Sequence, residues 1–215
     1  MKIVVSGTSQ GIGYSIANKF LEKGHFVYGI DIKPCSINNP NYHHYIFDIR
    51  SKDLPIINDC DIIIANAGVQ DEKEAIDVNL MGTINYINHY QDSENLKSIL
   101  IIASSSARNG AEFPLYSASK GGIVSYMKNL ALKLSKKNIT VNSISPGGVT
   151  TPLNKHILEN NNLYNQVLNE TLLHKWASSE EIAEWVYFIT VINKSMTGED
   201  ILIDNGEMLK SNFIW

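Results

Sequence analysis

The sequence has 215 residues, of which 44% are hydrophobic, and this composition is typical of a globular protein and not of a disordered chain. Its 22 acidic residues outnumber the 18 basic ones, and the net charge of −4 argues against binding to a nucleic-acid backbone. No apolar stretch approaches the roughly 20 residues that cross a bilayer, so we expect one cytoplasmic domain over residues 1–215, with no signal peptide and no membrane partner.

Short apolar runs alternate with segments of helical periodicity along the whole chain. Several of the runs are rich in Ile and Val, which is typical of strands that helices cover on both sides. This alternation predicts an α/β fold with a doubly wound, mainly parallel sheet. The seven predicted strands are residues 3–6, 26–31, 45–49, 62–66, 98–104, 140–145 and 201–204.

Three helices are indicated between these runs by apolar residues that recur with helical spacing. The first covers residues 12–21, and the second covers residues 123–137 and ends in two lysines, which suit a helix C-terminus. Ser178 and Glu181 have the spacing of a capping box and begin the third helix. The Asn-rich residues 159–162 are predicted to form a loop.

A glycine-rich turn at residues 6–13 lies between the first predicted strand and the first predicted helix. Gly7, Gly11 and Gly13 allow a tight turn and bring the backbone close to a pyrophosphate, which the helix N-terminus then binds. Strand-to-helix turns also use glycine for structural reasons alone. Here, however, Asp31 follows about two dozen residues later at the end of the second strand, where a carboxylate holds the ribose 2′-hydroxyl. The turn therefore predicts a dinucleotide site.

Six further motifs follow the glycine turn, and in this order all seven resemble those of the short-chain dehydrogenase/reductase family over essentially the whole chain. The resemblance implies a Rossmann-like fold with helices on both faces of the sheet, and hydride transfer between NAD(H) and a small-molecule alcohol or ketone. It also implies a homotetramer or homodimer that pairs through the second predicted helix. The motifs are Gly-x-x-x-Gly-x-Gly at 7–13, Asn66-Ala67-Gly68, Asp77-Val78-Asn79-Leu80, Ser104-Ser105-Ser106, Tyr116-Ser117-Ala118-Ser119-Lys120, Pro146-Gly147 with Thr151, and Thr197-Gly198 before residues 201–206.

Carried over residue by residue, the resemblance implies a catalytic set of Asn79, Ser105, Tyr116 and Lys120. A tyrosine with a pKa of about 10 is a poor acid–base group at neutral pH, but a neighbouring ammonium and a cationic nicotinamide both favour the phenolate. Four residues apart on a helix, Tyr116 and Lys120 share one face. In the family the Lys also binds the nicotinamide ribose, the Asn holds a water, and the Ser binds the substrate oxygen; Ser104 is the alternative to Ser105.

The cofactor predicted by these motifs is NAD. The Asp31 carboxylate would repel the 2′-phosphate of NADP, and Gln10 is neutral where members that use NADP usually have a basic residue. Lys33 is the one feature that favours NADP, and Asp48 is expected near the adenine. The implied cofactor contacts are Gly7, Ser9, Gln10, Gly11, Ile12, Gly13, Asp31, Asp48, Ile49, Asn66, Ala67, Gly68, Tyr116, Lys120, Pro146, Gly147, Val149 and Thr151.

The chain departs from the family pattern mainly by deletions. Only eleven positions separate Gly68 from Asn79, where the family usually has a longer segment that carries a helix. The segment from Asp31 to Asp48 is also short, so we expect its helix to be reduced to a turn. Residues 152–176 follow the nicotinamide-side loop and are interpreted as an amphipathic helix pair on the core, as a substrate lid, or as both.

Two alternative functions remain to be weighed. A reductase of carrier-bound 3-oxoacyl chains would need a basic patch for its acidic carrier, and the only basic cluster is formed by Lys133, Lys136 and Lys137. A non-catalytic NAD-binding sensor or scaffold is disfavoured because the Tyr and Lys of the signature are both present.

The six histidines and two cysteines lack metal-ligand spacing, so no metal is expected. The apolar C-terminus at 213–215 is expected to dock on a neighbouring subunit or on its own pocket.

Overall fold

The structure, a computed structural model, describes residues 1–35, 37–111 and 113–210. Within these residues the strands are β1 (Lys2–Ser6), β2 (Phe26–Asp31), β3 (Tyr42–Ile46), β4 (Ile62–Ala65), β5 (Ser98–Ile102), β6 (Thr140–Pro146), β7 (Val149–Thr150), β8 (Ala177–Ser178) and β9 (Asp200–Ile203). Seven of them form one parallel sheet in the order β3-β2-β1-β4-β5-β6-β9, which confirms the predicted doubly wound sheet. The short strands β7 and β8 pair with each other.

Helices cover both faces of this sheet. They are α1 (Gly11–Glu22), α2 (Thr83–Tyr90), α3 (Ser106–Asn109), α4 (Pro114–Leu134), α5 (Lys155–Leu158), α6 (Asn161–Leu168) and α7 (Ser179–Tyr187). Short π-helical turns occupy Ile76–Gly82 and Phe188–Ile192, and 3₁₀ turns occupy Ser135–Lys137, Pro152–Asn154 and Glu207–Leu209. In the described parts of the chain, no helix is long and apolar enough to span a bilayer.

The core consists of two apolar layers, one on each face of the sheet. In β1, Ile3 and Val5 face the layer that contains α1 and α7, whereas Val4 faces the layer that contains α2 and α4. All three side chains are fully buried, and burial of each stabilises the fold by roughly 1.5–3 kcal/mol. This two-sided burial explains why the strand runs are apolar at successive positions.

The third strand was predicted at residues 45–49, but β3 begins three residues earlier, at Tyr42. It is an edge strand that pairs only with β2 in the sheet, and its two consecutive histidines place one imidazole on each face. A search for continuous apolar runs misses the first half of this strand because His43 and His44 interrupt the run. The link between β2 and β3 contains no helix in its described residues 32–35 and 37–41, as expected from its length.

The prediction of a loop at residues 159–162 is wrong in its second half, since α6 begins at Asn161. The Asn160 side chain accepts a hydrogen bond from the Leu163 N–H at 3.1 Å and thus acts as the N-cap of α6, which is a role that Asn favours. The predicted capping box is confirmed at α7, where Ser178 and Glu181 bond to each other's backbone N–H groups. The prediction for residues 213–215 lies outside the described residues.

Candidate active site

A cavity of about 980 Å³ lies at the carboxyl ends of the central strands. It is lined by residues from the glycine turn, the end of β2, the loops after β3, β4 and β6, and the first turns of α4. In doubly wound sheets this edge, where the strand order reverses, is where ligands bind. The predicted site residues that line it are Gly7, Gln10, Gly11, Ile12, Asp31, Asp48, Ile49, Asn66, Ala67, Gly68, Ser105, Tyr116, Lys120, Pro146, Gly147, Val149 and Thr151.

Three predicted site residues lie behind the cavity lining rather than in it. The Ser9 N–H donates to the Asp31 carboxylate at 2.9 Å. Gly13 packs against the Gly7 carbonyl oxygen, where any Cβ would overlap that atom. Asn79 is only 2% exposed and hydrogen-bonds the backbone of Val69. These residues shape the site through their neighbours.

The glycine turn is locked to the end of β4. Gly7 has a φ of +75°, which glycine adopts readily and other residues rarely do. A Cβ on Gly7 would lie 2.8 Å from Asn66 Nδ2, and this amide donates to the carbonyl oxygens of Ser6 and Gly7 at 3.0 and 3.1 Å. The backbone of the turn therefore lies along the cavity. The N-cap residue Gln10 makes no side-chain hydrogen bond to the first N–H groups of α1, so these groups are not capped by it.

Asp31 lies at one end of the cavity with its two oxygens held by backbone donors. Oδ2 accepts from the Ser9 N–H and Oδ1 accepts from the Lys33 N–H, each at 2.9 Å. The Ser9 hydroxyl in turn donates to the Lys33 carbonyl oxygen at 2.9 Å. These bonds fix the carboxylate at the cavity edge, and each oxygen keeps a lone pair for a further donor.

A buried polar network supports the glycine turn from below. The hydroxyls of Thr8 and Tyr42 lie 2.8 Å apart, and Tyr42 Oη also lies 2.8 Å from His44 Nδ1. Burial raises the pKa of Tyr42 well above its ordinary value, so the phenol stays protonated. Gly29 in β2 provides the space, since a Cβ there would overlap both hydroxyls. Sequence reasoning missed this network because its members come from three separate strands and turns.

Arg50 was also missed, and it lies beside the expected adenine end of the cavity. Its guanidinium binds both oxygens of Asp48 and, at 2.6 Å, one oxygen of Glu74. The hydrogen bond from Arg50 holds the pKa of Asp48 below its ordinary value. Two carboxylates thus neutralise this arginine. A single Arg after a strand belongs to no sequence motif, so the sequence alone did not predict the contacts of Arg50 with Asp48 and Glu74.

Tyr116 and Lys120 project from the first two turns of α4 into the cavity. The Lys120 Nζ lies 5.8 Å from the centroid of the Tyr116 ring and donates to the Ile102 carbonyl oxygen at 3.0 Å. A Cβ on Gly68 would lie 3.5 Å from Lys120 Nζ and 3.0 Å from Asn79 Oδ1. The structure therefore places Lys120 beside the Tyr116 ring, and Gly68 beside both Lys120 and Asn79.

The two candidate serines differ in their hydrogen bonds. Ser104 Oγ accepts from the Ser106 hydroxyl at 3.0 Å and from the Ser106 N–H at 3.3 Å, so it closes a local turn at the end of β5. The Ser105 N–H donates to the Pro146 carbonyl oxygen at 2.8 Å. Both serines line the cavity, but within residues 1–35, 37–111 and 113–210 only the Ser104 hydroxyl is engaged in hydrogen bonds. This difference favours Ser105 as the group that faces a substrate.

The far end of the cavity is formed by residues 152–176, with the 3₁₀ turn at 152–154 followed by α5 and α6. Trp176 packs against Gly148, where any Cβ would overlap the indole ring. His156, Glu170 and Glu207 add polar groups to a lining that also contains apolar side chains. No sequence motif had singled out these four lining residues. Within the described chain, no group of three or more His, Cys, Asp or Glu side chains is placed to hold a metal ion.

Comparisons with known proteins agree with this geometry. The family model described as "Enoyl-(Acyl carrier protein) reductase" matches residues 55–207. The chain is 25% identical to glucose 1-dehydrogenase of Gluconobacter oxydans, covering 99% of this chain and 93% of the relative. It is 27% identical to 3-oxoacyl-[acyl-carrier-protein] reductase FabG of Buchnera aphidicola, covering 94% and 95%.

Two solved structures extend the comparison. A short chain dehydrogenase family protein from Francisella tularensis is 30% identical, with a TM-score of 0.86 over 97% of this chain and 99% of that one. A 4-hydroxyisoleucine dehydrogenase mutant complexed with NADH and succinate is 26% identical, with a TM-score of 0.86 over 99% and 100% of the two chains. Both similarities span the sheet, the glycine turn and the helix that carries Tyr116.

Proposed function

Since the chain belongs to the short-chain dehydrogenase/reductase family of oxidoreductases, we propose that it transfers a hydride between NAD(H) and a small alcohol or ketone, with Tyr116 as the acid–base group. One observation carries this proposal: the glycine turn and the Tyr116–Lys120 pair line the same cavity. A dinucleotide bound on the turn would thus extend towards the groups that handle the substrate proton.

The residues at the turn fit a dinucleotide. The α1 N-terminus opens into the cavity without a side-chain cap, and the missing Cβ atoms of Gly7 and Gly13 let the turn pack closely against Asn66. Free N–H groups and the positive end of the helix dipole suit a pyrophosphate. Asp31 would accept hydrogen bonds from the adenosine ribose, and Asp48, Ile49, Ala67 and the remaining predicted contacts would line the adenine and nicotinamide ends.

NAD is favoured over NADP by the charges around the ribose position. The negative charge of Asp31 would repel the 2′-phosphate of NADP, and Gln10 supplies no positive charge to offset this repulsion. Arg50 could have supplied a compensating charge, but it is engaged by Asp48 and Glu74. Among the cavity-lining residues that the structure describes, Lys33 remains as the cation at this end whose side chain could reach a phosphate.

In the proposed mechanism, each residue of the chain has one task. When bound, NAD(H) supplies or accepts the hydride. Ser105 Oγ hydrogen-bonds the substrate oxygen and steadies it as charge develops, while Tyr116 Oη gives or takes the proton of that oxygen. The Lys120 ammonium favours the phenolate by its charge and would bind the nicotinamide ribose. Asn79, fixed to Val69, would hold a water beside Lys120.

Around this centre we propose one catalytic and cofactor-binding domain over residues 1–215, with residues 152–176 as a substrate lid. Exposed apolar side chains on α4, on α7 and on the π-helical turn that follows α7, among them Leu132, Trp185 and Phe188, support a homotetramer or homodimer, and we propose the cytoplasm as its location. Light scattering at micromolar concentration should report a multiple of the 24.0 kDa chain mass. A monomer under these conditions would contradict the assembly.

A second candidate is reduction of carrier-bound 3-oxoacyl chains, which the names of the family model and of several relatives favour. Against it, the far end of the cavity is lined by Glu170 and Glu207 and not by a basic cluster that would attract an acidic carrier. The two functions share the same chemistry at Tyr116, and substrate size separates them.

The test is a turnover panel read by the absorbance of the reduced cofactor. It offers D-glucose, 4-hydroxyisoleucine and simple secondary alcohols with NAD, and acetoacetyl-coenzyme A with NADH. Faster turnover of acetoacetyl-coenzyme A than of every free alcohol would favour the second candidate. NAD binding without turnover of any substrate would favour a non-catalytic sensor and contradict the proposal.

The acid–base role is tested by Tyr116→Phe, with Tyr126→Phe as the matched control. Tyr126 lies on the same helix outside the cavity lining, and its hydroxyl donates to Oδ1 of the exposed Asn88 at 3.3 Å. Tyr116→Phe should lower turnover by more than about a hundredfold, which is the range of acid–base groups, and leave NAD affinity unchanged. Activity within about tenfold of wild type would refute the assignment.

A further inference from the structure

The shortened segment between Gly68 and Asn79 reaches the N-terminus of α4. There the Glu72 carboxylate accepts hydrogen bonds from the backbone N–H groups of Leu115 and Tyr116, at 3.1 Å in each case. Glu72 is half-buried, and 43 and 44 residues separate it from these partners. The contact ties this segment directly to the backbone of the proposed acid–base residue.

Glu72 replaces a cap that α4 does not provide for itself. The N-cap residue is Phe113, which has the extended backbone of an N-cap but no side-chain acceptor. Pro114 has no N–H, and the Ser117 N–H donates to the Phe113 carbonyl oxygen at 2.8 Å. The remaining two N–H groups of the first turn are those that Glu72 binds. Its negative charge also suits the positive end of the helix dipole.

The backbone carbonyl group of Tyr116 is also connected by hydrogen bonds to the segment between Gly68 and Asn79. The Ser119 hydroxyl donates to the Tyr116 carbonyl oxygen at 2.6 Å and accepts from Asn79 Nδ2 at 3.1 Å. The Asn79 amide also accepts from the Val69 N–H and donates to the Val69 carbonyl oxygen. Both backbone polar groups of Tyr116 are therefore connected to residues 69–72.

We infer that Glu72 is a positioning residue, which holds the backbone of Tyr116 so that its phenol points at the substrate oxygen. This inference rests on the proposed function, in which Tyr116 handles the proton. Tyr116 lies in the first turn of α4, where an uncapped helix opens most readily, whereas Lys120 lies one turn deeper. Loss of Glu72 therefore displaces the phenol and leaves the cofactor site in place.

The first test compares Glu72→Ala with Glu94→Ala, which removes an exposed loop carboxylate. In Glu72→Ala the amide hydrogens of Leu115 and Tyr116 should exchange at least about tenfold faster, because their acceptor is gone. The kcat for the panel substrate that the wild type turns over fastest should fall by about tenfold to a hundredfold. The Kd of NAD should not change, and Glu94→Ala should match the wild type in all three measurements.

The second test restores the cap locally, at Phe113. In the Glu72→Ala background, Phe113→Ser supplies a hydroxyl acceptor at the N-cap, whereas Phe113→Ala makes a similar change in the cavity wall without an acceptor. The serine double variant should recover at least about threefold in kcat over the alanine double variant, the size expected for one N-cap bond. Glu72→Gln keeps one side-chain carbonyl oxygen as an acceptor, so its kcat should lie between those of Glu72→Ala and the wild type.

Any of four outcomes overturns the inference. The first three are unchanged amide exchange at Leu115 and Tyr116 in Glu72→Ala, unchanged kcat in that variant, and equal kcat in the two double variants. A fall in NAD affinity that parallels the fall in kcat would instead show a general loss of structure and also overturn it. Failure of the proposed function is distinguishable, because in that case Tyr116→Phe keeps its activity whatever Glu72 does.

Discussion

Cofactor choice gives the sharpest prediction, because one side chain dominates it. Asp31→Asn keeps an oxygen that can accept from the Ser9 N–H but removes the negative charge, whereas Asp31→Ala removes both. We expect wild-type protein to bind NAD at least tenfold more tightly than NADP. In Asp31→Asn this gap should close, mainly through tighter NADP binding.

The magnitude follows from the position of Asp31 at the cavity edge. Two like charges about 4 Å apart repel by about 4 kcal/mol at an effective dielectric constant of about 20. Asp31 is half-buried, and a 2′-phosphate beside it would stay partly hydrated, so we take about a third of this value. The resulting ~1.4 kcal/mol corresponds to about a tenfold difference in Kd.

Two cations lie close enough to alter this estimate. Lys33 follows Asp31 by two positions and lines the cavity, and its ammonium could screen a phosphate. Arg50 lines the cavity as well, but its charge is balanced by two carboxylates. The carboxylate of Asp31 is fixed by two backbone donors, whereas the Lys33 side chain is exposed, so we expect the repulsion to decide the preference.

The assay is titration of both cofactors into wild type, Asp31→Asn, Asp31→Ala and the surface control Asp53→Asn. Equal or tighter NADP binding by the wild type would refute the reasoning. A parallel loss of both cofactors in Asp31→Ala, with no gain of NADP in Asp31→Asn, would mean that Asp31 only holds the turn through Ser9. The control should leave both Kd values unchanged, because Asp53 is exposed and lies outside the cavity.

Three further substitutions test other parts of the structure. Lys120→Ala should lower turnover and weaken NAD binding together, because its ammonium lies beside Tyr116 in the cofactor cavity; an unchanged Kd of NAD would contradict the ribose contact. Gly13→Ala should abolish NAD binding, measured by titration on protein whose circular dichroism is checked, because its methyl group would overlap the Gly7 carbonyl oxygen. Ser178→Ala should lower the free energy of unfolding in urea by about 1 kcal/mol with unchanged NAD affinity, and a smaller loss would mean that the capping box is dispensable.

The sheet was predictable because its central strands are buried on both faces. In β4 and β5 every described side chain is buried, and apart from Ser98 at the start of β5 both strands are continuous apolar runs. The edge strand β3 contains two consecutive histidines, and the apolar-run criterion shifted it by three residues. Periodicity reports burial, and an edge strand is only half buried.

The site was predictable where its residues form short motifs along the chain. The Tyr116–Lys120 spacing and the glycine turn are local patterns, and the structure places them in one cavity. The contact of Arg50 with Glu74 joins residues 24 positions apart, and the contacts of Glu72 join residues 43 and 44 positions apart, so no local spacing encodes them. The sequence showed that the segment before Asn79 is short, but not which backbone atoms it reaches.

The two shortened links have a common physical consequence. In each link a polar side chain reaches the site: β3 follows β2 closely enough for the Tyr42 hydroxyl to bind the Thr8 hydroxyl under the glycine turn, and residues 69–75 deliver Glu72 to the backbone N–H of Tyr116. Side-chain hydrogen bonds thus support the glycine turn and the first turn of α4. Because a hydrogen bond acts over about 3 Å and a packed helix over a wide face, such support depends on single atoms. Substitutions that remove one hydrogen-bonding group in these links should therefore change the geometry of the site more than they change the fold.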